Sequence, residues 1–146
     1  MIKSICMVFL VLFTTITIAQ NKSDIDSLYQ VNNFLLDIRS TVKKKKWNGA
    51  QQLIKVEQLI EKGKGYETQF PLWLKTVIRE DSWHSIEMKR QFTLILQTLA
   101  LYKSDLKMLQ NKRPTNQEEL EYLNRKIPKL VDTIYYYCKL AEEERL

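Results

Sequence analysis

The side chains best suited to chemistry in this sequence surround its one histidine, His84. Glu80 and Asp81 precede it by four and three residues, so a helix would bring a carboxylate and the imidazole to one face. That spacing suits two ligands of a zinc ion, but a zinc site needs a third and a fourth ligand. The neighbouring sequence offers neither, so we interpret His84 as a surface histidine and predict no metal site.

Other catalytic arrangements are not recognisable in the chain. It has no glycine-rich phosphate loop, no paired cysteines and no legible Ser-His-Asp set. The acidic run Glu142–Glu144 is typical of a solvated helix end. We therefore predict no catalytic residues, no cofactor and no enzymatic activity. The alternative is an enzyme or small-ligand binder of the cell envelope, because carboxylates distant in sequence can meet in a fold, as they do in glycosidases.

A dense basic run, Lys43–Lys46 followed by Trp47, is the second chemical feature. Lys43, Lys44, Lys45 and Lys46 form a candidate patch for an anionic lipid or an acidic protein, and such binding would weaken as salt is added. The alternative is a solvated helix end, where lysines complement the negative end of the helix dipole. Nucleic acid is not an expected partner, because the sequence also predicts export.

The prediction of export comes from the N-terminus. Lys3 is the only charged residue among the first twenty, and it precedes the uncharged apolar run Ile5–Ile18. A short basic start followed by an apolar run of this length is typical of a secretory signal peptide. An uncleaved anchor is the alternative, although a bilayer span needs about 20 residues. Membrane contact is therefore expected only through an uncleaved leader or the basic run.

The leader ends in residues that fit a cleavage site. Thr17 and Ala19 occupy the positions three and one residue before the expected cut. The ending Ile18-Ala19-Gln20 resembles signal peptides common in Bacteroidota, which implies a bacterial source. We expect cleavage after Ala19, so that residues 1–19 are a signal peptide and residues 20–146 form one periplasmic or secreted domain.

Export would leave a single cysteine, Cys138, because Cys6 lies in the leader. A lone cysteine cannot form a disulfide within its own chain. We interpret Cys138 as a buried thiol that packs as a small apolar group. The alternatives are a disulfide between two chains and a reactive nucleophile, which would need a base nearby.

Helices must position all of these residues. The chain has 146 residues, a net charge of +6, 45% hydrophobic residues, three glycines and three prolines, a composition that excludes a disordered or collagen-like chain. No strand pattern competes with helical periodicity. The first apolar face has spacings of three and four and consists of Leu28, Val31, Leu35, Ile38 and Val42.

The boundaries of the first helices follow from capping and breaking residues. Ser23 is the expected N-cap of the first helix, and Asn48 the expected N-cap of the second. Gly63-Lys64-Gly65 predicts the end of the second helix, because glycine disfavours a helix interior. Pro71 is then expected to open a separate short helix.

Two long helices complete the prediction. Asp81-Ser82 caps the first, and the capping box Thr115–Glu118 starts the second. Their apolar seams are Met88, Phe92, Ile95, Leu99, Tyr102, Leu106 and Leu109, and Leu120, Leu123, Ile127, Leu130, Ile134, Tyr137 and Ala141. Pro128 lies within the second seam without changing its phase, so it is expected to kink this helix and not to end it. The expected fold is all-α: an antiparallel bundle of four to five helices whose two long C-terminal helices form a hairpin.

Two groups of apolar residues lie outside these seams. Leu94, Leu101 and Met108 recur every seven residues on the face of the first long helix opposite its seam. Tyr135 and Tyr136 flank the seam residue Tyr137. Either the long helix is central and buried on two sides, or these residues form a surface for a partner. Tyrosine is common at protein interfaces.

These features favour an exported protein that acts by binding another protein. An immunity or inhibitor protein and an adaptor of the cell envelope are two concrete forms. Leu94, Leu101, Met108, Tyr135 and Tyr136 form the candidate partner surface, and a second copy of the chain is one candidate partner. The sequence does not choose among an envelope protein, a secreted protein and a homodimer.

Overall fold

The computed structural model describes residues 2–43, 49–109 and 117–144, with side chains from Asn21 onward. Within these residues the chain is all-α, as predicted, with four helices and no strand. They are α1 (Ile2–Lys43), α2 (Gly49–Leu74), α3 (Trp83–Leu109) and α4 (Gln117–Glu143). No helix in the described part carries a stretch long and apolar enough to cross a membrane.

The helices form a bundle around one hydrophobic core. α1 packs on α2 and α4, and α3 packs on the same two helices. The seams predicted for α1, α3 and α4 face this core, because their residues are spaced to lie on one side of each helix. The fully buried side chains include Leu28, Leu35 and Ile38 of α1, Phe92, Ile95 and Leu99 of α3, and Leu123, Ile127 and Ile134 of α4.

α1 does not begin at Ser23, so the predicted N-cap is wrong. The helix runs without interruption from Ile2 to Lys43. The Ser27 hydroxyl donates a hydrogen bond to the Ser23 carbonyl at 2.8 Å, as occurs inside a helix. No glycine or proline separates the leader from the rest of α1, so nothing in the backbone stops the helix there.

α2 also continues where the sequence predicted an end. It passes through Gly63, Gly65 and Pro71 and reaches Leu74, so the separate short helix does not exist. Gly63 is buried, and a Cβ built on it would lie 2.6 Å from Leu96 Cδ2 and 3.1 Å from Phe34 Cζ. Glycine therefore occupies a core position of α2, where it lets three helices approach closely.

Aromatic packing holds the C-terminal half of α2 in place. The Tyr66 ring lies 5.1 Å from the ring of Phe34 on α1, and the Phe70 ring stacks 4.6 Å from the ring of Phe92 on α3. With Gly63 counted as a core residue, the buried side of α2 keeps spacings of three and four, through Val56, Leu59, Gly63, Tyr66 and Phe70. This packing offsets the low helix propensity of the two glycines.

The N-cap predicted for α3 is present. The Ser82 hydroxyl accepts a hydrogen bond from the Ser85 backbone N–H at 3.1 Å, which satisfies one of the free N–H groups of the first turn. α4 continues through Pro128, as its seam predicted. The predicted caps Asn48 and Thr115 and the turn at residues 111–114 lie outside the described residues.

Candidate binding surface

The second apolar stripe of α3 lies at the surface. Leu94 is partly buried, Leu101 is 57% exposed and Met108 is 44% exposed. Leu101 lies beside an open groove of about 620 Å³ between α3 and α4, lined also by Thr98, Glu118, Glu119, Glu121, Tyr122 and Arg125. Within the described part of the chain, α3 is therefore not buried on both sides.

Tyr135 and Tyr136 are both exposed but belong to different surroundings. The Tyr135 ring lies 5.8 Å from the Tyr29 ring of α1, and the Lys139 ammonium lies 5.9 Å from the Tyr135 ring centre. Tyr136 contacts Tyr137, whose ring in turn contacts His84 near the start of α3. The predicted surface is therefore divided among the α3 stripe, Tyr135 and Tyr136.

A row of four aromatic rings crosses from α3 to α4, and we call it the aromatic row. Its members are Trp83, His84, Tyr137 and Tyr136. Successive ring centres are 5.3 Å, 5.6 Å and 5.3 Å apart, so each ring contacts the next. Trp83 is 70% exposed and Tyr136 is 57% exposed, which leaves both ends of the row open to solvent.

The sequence did not indicate the aromatic row. Trp83 lies at a helix border, where the sequence does not distinguish a packed ring from an exposed one. Trp73, at the end of α2, is packed, because its ring lies 6.0 Å from the ring of Tyr66. The usable signal for Trp83 is its position in the second stripe of α3, eleven residues before Leu94.

A small groove of about 250 Å³ lies beside the aromatic row, between α3 and α4. Trp83, His84, Met88 and Leu130 form part of its wall. The polar residues Glu87, Gln91, Lys129 and Thr133 form the rest. The groove therefore combines an apolar wall with one acidic and one basic side chain.

The carboxylates near His84 are engaged in ion pairs. Glu80 Oε2 lies 3.0 Å from Lys75 Nζ, and Asp81 Oδ2 lies 2.9 Å from Arg79 Nη2. The His84 ring instead contacts Trp83 and Tyr137. Among the described residues, no group of three or more histidine, cysteine, aspartate or glutamate side chains is arranged to hold a metal ion.

The predicted basic patch is described only at its first residue. Lys43 is exposed at the end of α1 and lines a surface groove with Leu36, Arg39 and Ser40. Lys44, Lys45, Lys46 and Trp47 lie outside the described residues. The groove at Lys43 carries two positive charges, which suit an anion.

Cys138 is a free, fully buried thiol. Burial, with the negative charge of Glu142 nearby, raises the pKa of this thiol to about 12. A thiol must ionise to act as a nucleophile, so Cys138 is unreactive in the folded protein at neutral pH.

Comparison of the chain with family models, curated proteins and solved structures finds no match. The function must therefore be argued from the surface itself. Exposed tryptophan and tyrosine rings beside a groove with both apolar and charged walls suit a protein partner, because large rigid rings bury much area at low entropic cost.

Proposed function

We propose that this chain is an exported helical-bundle protein that acts by binding another protein. The observation that carries the proposal is the aromatic row, which exposes Trp83 and Tyr136 on one side of the bundle. Tryptophan and tyrosine are enriched among the residues that contribute most to binding at protein interfaces. A partner that covers both rings would remove a large apolar area from water.

The proposed architecture is an antiparallel bundle in which α3 and α4 form a hairpin. His84 contacts Tyr137, near the start of α3 and the end of α4. Leu101 lines a groove with Glu118, near the other ends of the same helices. This order of contacts supports opposite directions for α3 and α4, with the aromatic row at one end.

The biological setting of the proposal is the periplasm or the extracellular space. The apolar leader supports export with cleavage after Ala19, and a buried Cys138 suits an oxidising compartment, because it is shielded from oxidation. An immunity or inhibitor protein and an envelope adaptor both require an exposed contact surface of this kind. The partner is therefore a protein of the envelope or the secreted fraction.

The shape of the site favours binding of a protein over a small molecule. Small-molecule pockets are commonly enclosed clefts of about 300–1,000 Å³. The groove beside the aromatic row is about 250 Å³ and has one carboxylate, Glu87, near His84. Two exposed aromatic rings beside a groove of this size are better matched to the side chains of a protein partner.

The test is affinity capture from envelope extract with the tagged protein and two double variants. We expect Trp83→Ala/Tyr136→Ala to lose the partner, because both changes remove exposed rings from the aromatic row. The control is Ile54→Ala/Leu72→Ala, which removes two exposed apolar side chains from α2. Circular dichroism should show the same helix content in all three proteins.

The captured protein should be identified and its amount compared among the three baits. A partner retained by the wild type and the α2 variant, and lost by the aromatic variant, supports the proposal. Equal capture by all three baits, or no specific partner for the wild type, would contradict it.

A further inference from the structure

We propose that the end of the bundle where α1 ends and α2 begins is a second binding surface, and that it binds a lipid bilayer with anionic headgroups. We call this surface the basic end. Its members within the described residues are Leu36, Arg39 and Lys43 of α1 and Lys55 of α2. The basic end is separate from the aromatic row, and lipid binding does not depend on the function proposed above.

The net charge of the protein is concentrated in this part of the chain. Residues 38–56 contain six lysine or arginine residues and no aspartate or glutamate. The other 127 residues contain 17 basic and 17 acidic residues, so their charges cancel. The net charge of +6 therefore belongs to one segment, which spans the end of α1 and the start of α2. Clusters of about four to eight lysine or arginine residues are typical of surfaces that bind anionic lipid.

The fold brings the described cations of this segment together. Gln52 Nε2 donates a hydrogen bond of 3.2 Å to the Thr41 carbonyl, which joins the start of α2 to the end of α1. Arg39 and Lys43 each lie two residues from Thr41, and Lys55 lies three residues from Gln52. At 1.5 Å per residue, all three cations lie within about 5 Å of this contact along their helix axes. Their positive potentials therefore add at one place.

These three cations do not stabilise the fold through ion pairs. Within the described residues, no carboxylate pairs with Arg39, Lys43 or Lys55. The negative end of the helix dipole accounts for Lys43, which lies in the last turn of α1. It does not account for Arg39, which precedes that turn, or for Lys55, which follows the first turn of α2. Their charge therefore remains available to a ligand.

The acidic residues nearby do not neutralise the basic end. Glu57 Oε1 lies 3.8 Å from Lys103 Nζ and 3.3 Å from Lys107 Nζ, so α3 already neutralises this carboxylate. Asp37 precedes Arg39 by two residues, which places the two side chains about 200° apart around α1. The acidic residues at the start of α4 line the groove that α4 forms with α3, and they are Glu118, Glu119 and Glu121. The potential where α1 meets α2 is therefore positive.

An apolar side chain among the cations favours a lipid surface over an acidic protein. Leu36 is 42% exposed and lines the same groove as Arg39 and Lys43, which has a volume of about 280 Å³. At a bilayer surface, cationic side chains reach the phosphate groups while a neighbouring leucine enters the boundary of the acyl chains. Trp47 follows the lysines in the sequence, and tryptophan is enriched at membrane–water interfaces. An acidic protein would match the cations without covering the leucine.

Binding of lipid at the basic end leaves the aromatic row accessible. The ion pairs of Glu57 place the start of α2 beside Lys103 and Lys107, near the end of α3. Trp83 begins α3 and precedes Lys103 by 20 residues, which is about 30 Å along the helix. The two surfaces therefore lie near opposite ends of the bundle. A molecule bound to a bilayer through the basic end exposes the aromatic row on its far side.

The first test is cosedimentation of the protein with lipid vesicles. The full-length coding sequence is expressed so that any processing of the leader precedes purification. The vesicles consist of phosphatidylcholine alone or contain about one-third phosphatidylglycerol, which is anionic. We expect binding to the anionic vesicles only, and we expect it to weaken as salt is added. Equal binding to both kinds of vesicle, which an uncleaved leader would produce, or binding to neither, would overturn the proposal.

The second test removes two cations at a time. Lys43→Gln/Lys55→Gln should weaken binding to the anionic vesicles about 25-fold, because each lysine near an anionic surface contributes about fivefold. The control Lys22→Gln/Lys64→Gln removes the same charge elsewhere and should bind within about threefold of the wild type. All four lysines are exposed, so circular dichroism should show unchanged helix content. Equal weakening by the two double variants would indicate dependence on net charge alone and would contradict the assignment of the basic end.

A third measurement distinguishes a lipid surface from an acidic protein. Leu36→Ser should weaken binding to anionic vesicles severalfold and leave the affinity for polyglutamate unchanged, because only the bilayer contacts the leucine. Leu101→Ser, the matched exposed leucine of α3, should bind vesicles as the wild type does. Tighter binding to polyglutamate than to anionic vesicles would identify an acidic protein and overturn the lipid assignment.

The two proposed surfaces fail independently in these experiments. Trp83→Ala/Tyr136→Ala should bind anionic vesicles as tightly as the wild type, because the aromatic row lies far from the basic end. Loss of vesicle binding by this variant, with unchanged helix content, would contradict the separation of the two surfaces. A wild type that binds vesicles and captures no protein partner would retain the lipid surface and overturn the aromatic row alone.

Discussion

Gly63 shows how one residue can reverse the interpretation of a sequence. Glycine in a helix interior usually predicts a break, because its helix propensity is about 1 kcal/mol less favourable than that of alanine. Here Gly63 lies where a methyl group would overlap Leu96 and crowd Phe34. The absence of a side chain therefore allows α2 to pack against α1 and α3. The spacing of Val56, Leu59, Tyr66 and Phe70 places Gly63 on the buried face of α2 and leaves Gly65 on the exposed face.

Substituting each glycine by alanine should distinguish the closely packed Gly63 from Gly65, which has open space around it. Gly65→Ala adds a methyl group in open space and should raise the free energy of unfolding by about 1 kcal/mol. Gly63→Ala should lower it, because overpacking costs about 1–3 kcal/mol and exceeds the gain in propensity. Urea unfolding of both variants measures the difference. Equal stabilisation by the two substitutions would show that the contact at Gly63 is not tight.

Tyr29 links α1 to the C-terminal end of α4. Its hydroxyl donates hydrogen bonds of 3.4 Å to the two carboxylate oxygens of Glu142. Burial, followed by the negative charge of Glu142, raises the pKa of Tyr29 from 10.0 to about 12. The folded protein therefore holds this proton at a pH where the unfolded chain releases it.

This difference predicts a loss of stability in alkali. Above about pH 10 the unfolded state binds fewer protons than the folded state, so the free energy of unfolding falls until about pH 12. The buried Cys138 thiol contributes a loss of the same sign that begins near pH 9. Tyr29→Phe should make the fall between pH 10 and 12 shallower than in the wild type. Identical slopes in denaturant titrations across that range would contradict the shift.

Among the helices, sequence periodicity predicted α1, α3 and α4 and their buried faces. It failed for α2 because one core position is a glycine, which carries no apolar side chain to count. It also failed at Ser23, where a cap residue lies inside a continuous helix. Capping residues indicate where a helix is able to start, but they do not force a start when the preceding residues are also helical.

The start of α3 offers a test at the scale of the helix. Ser82→Ala removes the acceptor of the Ser85 N–H and should lower the free energy of unfolding by about 1 kcal/mol. Ser82→Asp keeps an acceptor at the same place and adds a negative charge at the positive end of the helix dipole, so it should retain wild-type stability. Thermal and urea unfolding provide the measurement. A Ser82→Ala variant as stable as the wild type would show that the cap contributes little.

For the molecule as a whole, the candidate site was only partly accessible from sequence. Leu101, Met108, Tyr135 and Tyr136 lie outside the seams, and each is exposed. Their division into separate surfaces depends on how α3 and α4 are positioned relative to each other along the bundle axis. The periodicity of a single helix does not contain that information. Trp83 meets Tyr136 through His84 and Tyr137, a relation between the two helices that only their packing determines.

The most direct test of the account is the affinity of the captured partner for the purified protein and its variants. Trp83→Ala should raise the dissociation constant at least tenfold, because truncating a central tryptophan at an interface commonly costs about 2 kcal/mol or more of binding free energy. Leu72→Ala, an exposed change on α2, should leave it unchanged. Equal affinities for the wild type and Trp83→Ala would contradict binding through the aromatic row.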